Sequence, residues 1–247
     1  VRFKTYALLA VWFVLVAFLA VGLYVPLHYW SPQLRELMPQ GISLMQVSGH
    51  WWSGRAALSV PYSKEPALLS WTTAGFLSPI SWQVNHPQVM GYGKLKPELF
   101  GVSLWVDGLS AQASVLNPVL AKQGIALSGQ PITVSRWYSH YVWRDHTFDT
   151  FKVQANWPEG NIRYPAGNRE IDAPVKQWQL HGYLLGQEPV VSLRSLQGSE
   201  LLEIKLLSSH ALEVTVMPEL IESLGQRWPG KKEYPAFVVV QPLNELR

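Results

Sequence analysis

Phe151-Lys152-Val153-Gln154-Ala155-Asn156-Trp157 decides the fold. Successive side chains of a strand point to opposite faces. Phe151, Val153, Ala155 and Trp157 therefore share one side, and Lys152, Gln154 and Asn156 the other. The same period of two returns in Trp178, Leu180, Gly182 and Leu184, and in Leu202, Ile204 and Leu206 against Glu203 and Lys205. It returns again in Leu212, Val214 and Val216 against Glu213 and Thr215. One wet face per strand marks antiparallel strands that cover a core on one side. Working outward, some nine to twelve short strands are expected, interrupted by three brief helices.

Ser31-Pro32 opens the first helix, with Leu34 and Leu37 on its apolar face and Gly41 to stop it. Asn117-Pro118 caps the second, which ends near Gly124. Pro218 starts the third, through Leu220, Ile221 and Leu224 to Gly225. Gly91-Tyr92-Gly93 and residues 165–168 read as turns. A weak echo runs through the chain as apolar-x-Gly triplets: Val47-Ser48-Gly49, Leu127-Ser128-Gly129, Leu180-His181-Gly182 and Leu196-Gln197-Gly198. Glycines inside or at the start of strands permit bulges and coiling, so the sheet is expected to curl into a half-barrel or groove.

Ahead of this domain, no Lys, Arg, Asp or Glu stands between Lys4 and Arg35. Within that gap residues 6–25 are mostly apolar, with Tyr6 and Val25 at the ends and Trp12 inside. A helix of that length spans about 30 Å, the thickness of a hydrocarbon core. Pro26 discourages helix at Val25, and Tyr24, Tyr29 and Trp30 suit the wet edge of a bilayer. Arg2 and Lys4 place the N-terminal side in the cytoplasm by the positive-inside bias. The expected organisation is thus residues 1–30 as cytoplasmic stub and transmembrane anchor, and residues 31–247 as one exported β-rich domain. The competing reading is a cleaved signal peptide, with Ala20-Val21-Gly22 as the small-residue site. The retained anchor is preferred because the apolar stretch is longer than a usual signal h-region.

Composition removes several classes of function. With no cysteine, the chain holds no disulfide scaffold, Cys-ligated metal or covalent haem. The net charge of +3 dissolves once Arg2 and Lys4 are set apart, leaving 18 basic against 17 acidic residues and no basic run to hold nucleic acid.

No G-x-S-x-G, H-E-x-x-H, Walker A or G-x-G-x-x-G occurs. His140, Asp145, His146 and Asp149 form the one titratable cluster, and Arg144 beside Asp145 makes it read as a solvated turn. Glu219 and Glu222 sit in the first turns after Pro218, where acids complement the helix dipole. Ser48, Ser53 and Ser59 have only His50 nearby. No catalytic residue, metal or cofactor is expected. The 12 Trp either fill a β core or line a ligand surface, and core filling is preferred for any one of them.

One stretch is more specific. Val47-Ser48-Gly49-His50-Trp51-Trp52-Ser53-Gly54-Arg55-Ala56, followed by Leu69-Ser70-Trp71, resembles the opening of the type II secretion system protein N (general secretion pathway protein N) family. Leu127-Ser128-Gly129 and Asn156-Trp157 fall in the expected order. Carried over by position, the signature is Gly49, Trp52, Gly54 and Ala56, with Trp71 on the next strand, all read as structural, with Trp52 pointing inward between two tight glycine turns. Trp51, His50 and Gly75-Phe76 depart from the family pattern. The resemblance implies a periplasmic β domain on an inner-membrane anchor in Gram-negative bacteria, and an accessory, non-enzymatic subunit of the machine that exports folded proteins. Its implied partners are the machine's inner-membrane protein C and the outer-membrane secretin. The same architecture also resembles the lipopolysaccharide-transport protein C and AsmA-like proteins, which implies the rival reading, a lipid or lipopolysaccharide handler with an apolar groove.

Overall fold

The computed structural model describes residues 12–14, 24–36, 38, 42–60, 63–75, 78–167, 169–209 and 211–242. Among them, fourteen strands form one curved antiparallel sheet. They are β1 (Ser43–His50), β2 (Ser53–Ser59), β3 (Ala67–Thr72), β4 (Ile80–His86), β5 (Val89–Pro97), β6 (Gly101–Ala111) and β7 (Ala126–Gly129). β8 (Ile132–Val142), β9 (Thr147–Ala166), β10 (Arg169–Leu185), β11 (Glu188–Arg194), β12 (Glu200–Leu206), β13 (Ala211–Val216) and β14 (Phe237–Pro242) follow. Neighbours in sequence are neighbours in the sheet, except that β7 lies off the path and pairs with β9. The 20-residue β9 is long enough for both: its first half pairs with β8 and its second with β7.

The expected alternation is present and reaches further than the sequence shows. A single register row crosses the whole path. It runs Gly49, Gly54, Trp71, Trp82, Gly93 and Val106, then Trp137, Val153, Gly182, Val191, Ile204, Val214 and Val239. Paired residues of antiparallel strands share a face, so this row is one apolar seam thirteen strands wide. Its middle is well buried, with Val106 at 5% and Val153 at 6% exposure. Large rings sit beside glycines along it. A Cβ on Gly93 would come within 2.8 Å of the Trp82 ring, and one on Gly182 within 2.8 Å of Phe151. Gly91-Tyr92-Gly93 is therefore no turn but the interior of β5, where Leu109 and Trp82 take the room a side chain would need.

The strand count exceeds the expected nine to twelve because Gly-interrupted strands such as β5 lack a clean apolar stripe. The three helices stand close to where they are expected: α1 (Ser31–Glu36), α2 (Asn117–Leu120) and α3 (Pro218–Ser223). The first differs at its start. A 3-10 turn at Leu27–Trp30 runs straight into α1, so Ser31 lies within the helical segment and not at its cap. Leu37 and Gly41 of the expected helix end lie outside the described residues. Gly124 ends the second segment in left-handed conformation, φ +70°. Asn117 does not cap it. Its side chain spans outward, accepting from the Leu127 N–H at 2.6 Å and donating to the Leu127 carbonyl at 3.0 Å, which ties α2 to β7.

The helices cover the apolar face at two places. Leu27, Leu34 and Met38 pack on Leu44, Val47 and Ala56 of β1 and β2. Leu120 of α2, with Leu220 and Leu224 from and beside α3, packs on a core of Trp157, Ile162, Val175, Trp178 and Leu201. No helix among the described residues is long and apolar enough to cross a membrane. Tyr6 and most of the apolar run lie outside the described residues; Trp12 to Val14 are helical and exposed there.

Candidate functional site

The signature residues form a clasp. The penultimate residue of β1 is Gly49, whose φ of +93° is open to glycine and costly for any residue with a Cβ. Gly49 pairs with Gly54 across the hairpin, and Gly54 pairs with Trp71 on β3. The Trp71 ring lies against the Gly54 Cα, where a side chain would overlap it and come within 2.7 Å of the Ser48 carbonyl oxygen. The indole N–H of Trp71 donates to the carbonyls of His50 (3.2 Å) and Trp51 (3.1 Å), satisfying a chain that has just left the ladder. Ala56 is buried beside Val47. Trp71, and not Trp52, is the inward tryptophan.

Trp52 occupies the hairpin tip with Trp51, half-buried. His50 stacks on it at 4.5 Å between ring centroids, and Trp51 and Tyr24 meet it edge-to-face at 5.7 Å each. The correction follows from the turn. Gly49 takes the left-handed conformation, which puts the two following tryptophans outside the sheet while β3 supplies the ring that fills the gap.

The second triplet of the echo repeats this device. Gly129 ends β7 at φ +122° and pairs with Gly160 of β9. A Cβ on Gly160 would overlap the Trp157 ring and approach the Ser128 carbonyl oxygen to 2.6 Å. Trp157 Nε1 donates to the Gln130 carbonyl at 3.1 Å. The carbonyl after each left-handed glycine is thus held by an indole. The other two triplets do something else, Gly182 as a strand interior and Gly198 as a hairpin turn.

The titratable cluster is divided by the fold. His140 of β8 bonds Asp149 of β9 through Nδ1 at 2.7 Å. Asp145 and His146 lie in the turn between these strands, where His146 meets the Tyr141 hydroxyl at 3.2 Å. Sequence reading misses the groups on the far side: Glu98 Oε2 is 3.9 Å from His140 Nε2. Ser103, register partner of His140 and 2% exposed, donates to Glu98 Oε1 at 3.1 Å. That bond, opposed by partial burial and helped by Lys96 and His140, holds the Glu98 carboxyl below its usual range. The array is an Asp–His–Glu–Ser chain, but its hydroxyl is committed to Glu98 and sealed from any substrate. What it does is tie the β5–β6 turn to the β8–β9 hairpin. Only cross-strand register brings these residues together, so no motif spacing could have shown it. Glu219 lies in the first turn of α3, and Glu222 pairs with Lys232.

The two ends of the sheet differ. At β1 the edge is bulged between Leu44 and Gln46, and Arg35 Nε donates to the Leu44 carbonyl at 3.1 Å. β14 pairs only with β13 among the described residues, and Phe237, Val238, Val239 and Val240 are each more than half exposed. No charged residue stands between Pro235 and Asn244. Compared with protein-family models, with curated proteins and with solved structures, the chain finds no match in any of the three.

Proposed function

We propose that this chain is an accessory, non-enzymatic inner-membrane subunit of the type II protein secretion machinery, anchored through residues 6–25 with its β domain in the periplasm. The observation that carries the proposal is the β14 edge. Natural sheets blunt their edges with lysine, bulges or a covering element, as the β1 end does here. An uncharged strand apolar on both faces is built to receive another strand, and strand addition is a common mode of partner binding. The Gly49–Gly54–Trp71 clasp supports the family resemblance by giving these three of the matched residues a structural task. Protein C and the secretin are the partners the resemblance implies.

A second reading is favoured by one observation. Between the two helix-covered regions, Trp82, Val84, Leu104 and Trp137 form an apolar strip that is only half-buried. Such a strip suits acyl chains and a lipid-handling role.

Both readings are tested by mild crosslinking and affinity capture of the full chain from its native membranes, with proteins and lipids of the eluate identified by mass spectrometry. Secretin or protein C with lipid at background, lost in a Val239→Lys variant of unchanged circular dichroism, is the expected result. Stoichiometric phospholipid or lipopolysaccharide without secretion subunits replaces the first reading by the second. A catch of neither defeats both.

A further inference from the structure

We infer that the β1–β2 hairpin tip, Trp51-Trp52, is a second membrane contact that rests in the headgroup layer beside the anchor. The inference rests on the reading of residues 6–25 as that anchor, and it adds a site that the anchor alone does not require.

Four observations converge on it. Two-residue hairpin tips favour Asn, Asp and Gly, yet here both residues are tryptophan. The clasp already supplies the turn chemistry, so neither indole is needed for the backbone. Tyr24, the penultimate residue of the apolar run, touches Trp52 edge-to-face at 5.7 Å, which sets the tip at the level where the run ends. The tip is stiff: His50 stacks on Trp52 with an interplanar angle of 10°, and Trp51 closes at 88°. Tyr24 is 72% exposed, and Tyr29 and Trp30, carried by the 3-10 turn that packs along β1, are 68% and 47% exposed.

Tryptophan and tyrosine are the residues that collect at membrane–water interfaces, where an apolar ring and a polar N–H or O–H are both satisfied. A rigid group of them costs little side-chain entropy on docking. The occupant is therefore the boundary between lipid headgroups and acyl chains, not a soluble ligand. Two-point attachment stops the sheet from swinging about Pro26. It holds the β1 end on the membrane, with β14 at the opposite end of the strand path.

The chain has no cysteine, so single-site labelling is clean. Ser53→Cys places a nitroxide next to the tip and keeps both tryptophans; Ser81→Cys places one on the exposed face of β4. Full-length protein is reconstituted in vesicles of phosphatidylethanolamine and phosphatidylglycerol, and flotation is measured first. In floating protein, the label at 53 is expected to be several-fold less accessible to an aqueous relaxant than the label at 81, and more accessible to oxygen. Adding Trp51→Ser and Trp52→Ser to the Ser53→Cys chain is expected to return it to water, with circular dichroism unchanged. Equal aqueous accessibility at 53 and 81 in protein that floats overturns the inference and leaves the anchor standing. Protein that does not float overturns the anchor, and the inference with it.

Discussion

Gly160 lies against the indole of Trp157 as Gly54 lies against the indole of Trp71. In the first clasp the ring comes from the neighbouring strand; in the second it comes from three residues back on the same strand. The contact is nonetheless the same: a glycine Cα, a six-membered ring edge, and an indole N–H turned to the carbonyl that follows a left-handed glycine. A sheet this wide must curl, and each clasp is a point where a strand leaves the ladder without stranding a carbonyl.

Gly54→Ala and Gly160→Ala are expected to destabilise the chain by about 1–3 kcal/mol each, the usual cost of forcing a methyl into filled space. Trimming the ring does not fully rescue them, because each new Cβ also meets a carbonyl oxygen, Ser48 or Ser128. Urea midpoints for Gly54→Ala, Trp71→Ala and the double variant check this. Complete recovery of stability in the double variant relative to Trp71→Ala alone would place the whole clash on the ring and refute the carbonyl contribution.

Trp71 and Trp52 are expected to differ sharply. Trp71→Ala removes the indole donor from two carbonyls and leaves a gap over Gly54, with a cost of about 3 kcal/mol or more. Trp52→Ala removes contacts at a tip that no strand covers, with a cost of about 1 kcal/mol. Equilibrium unfolding of both variants ranks them, and the reverse order would restore Trp52 to the core.

Asn117→Asp is expected to cost about 1–3 kcal/mol. The carboxylate keeps the bond from the Leu127 N–H but faces the Leu127 carbonyl with an acceptor where an amide donor stood. Hydrogen exchange at β7 should rise first, since this side chain is its tie to α2. Unchanged protection at Leu127 would show the tie to be dispensable.

The strands most legible in the sequence are those with one wet face and branched or long apolar residues on the other, β9, β10, β12 and β13. The helices announce themselves by proline at their starts. β5 stays hidden because glycines stand on its apolar face and rings of its neighbours fill their place, Trp82 over Gly93, which no single-strand pattern displays. The clasp residues Gly49 and Gly54 are legible as turn glycines, yet their ring is supplied from β3. Choosing Trp71 over the adjacent Trp52 needs the register. Glu98 and Ser103 are invisible for the same reason: they are 42 and 37 residues from His140 and meet it only across β6 and β8.

The pH dependence of stability follows from Glu98. Its carboxyl is held below the usual range, first by the Ser103 hydroxyl, so the folded state binds this proton more weakly than the unfolded chain does. The contribution is therefore fully present above the ordinary carboxylate range and is lost as pH falls through the depressed folded value. Ser103→Ala removes the chief cause of the depression. Between about pH 6 and about pH 3, the wild type should lose more stability than Ser103→Ala, and their urea midpoints should converge at the acid end. The sign separates this from packing: a purely steric role for the buried serine gives a gap that does not change with pH. Parallel midpoint curves for the two proteins would thus remove Glu98 from the tie between the β5–β6 turn and β8. His140 and Asp149 would then hold the β8–β9 hairpin alone.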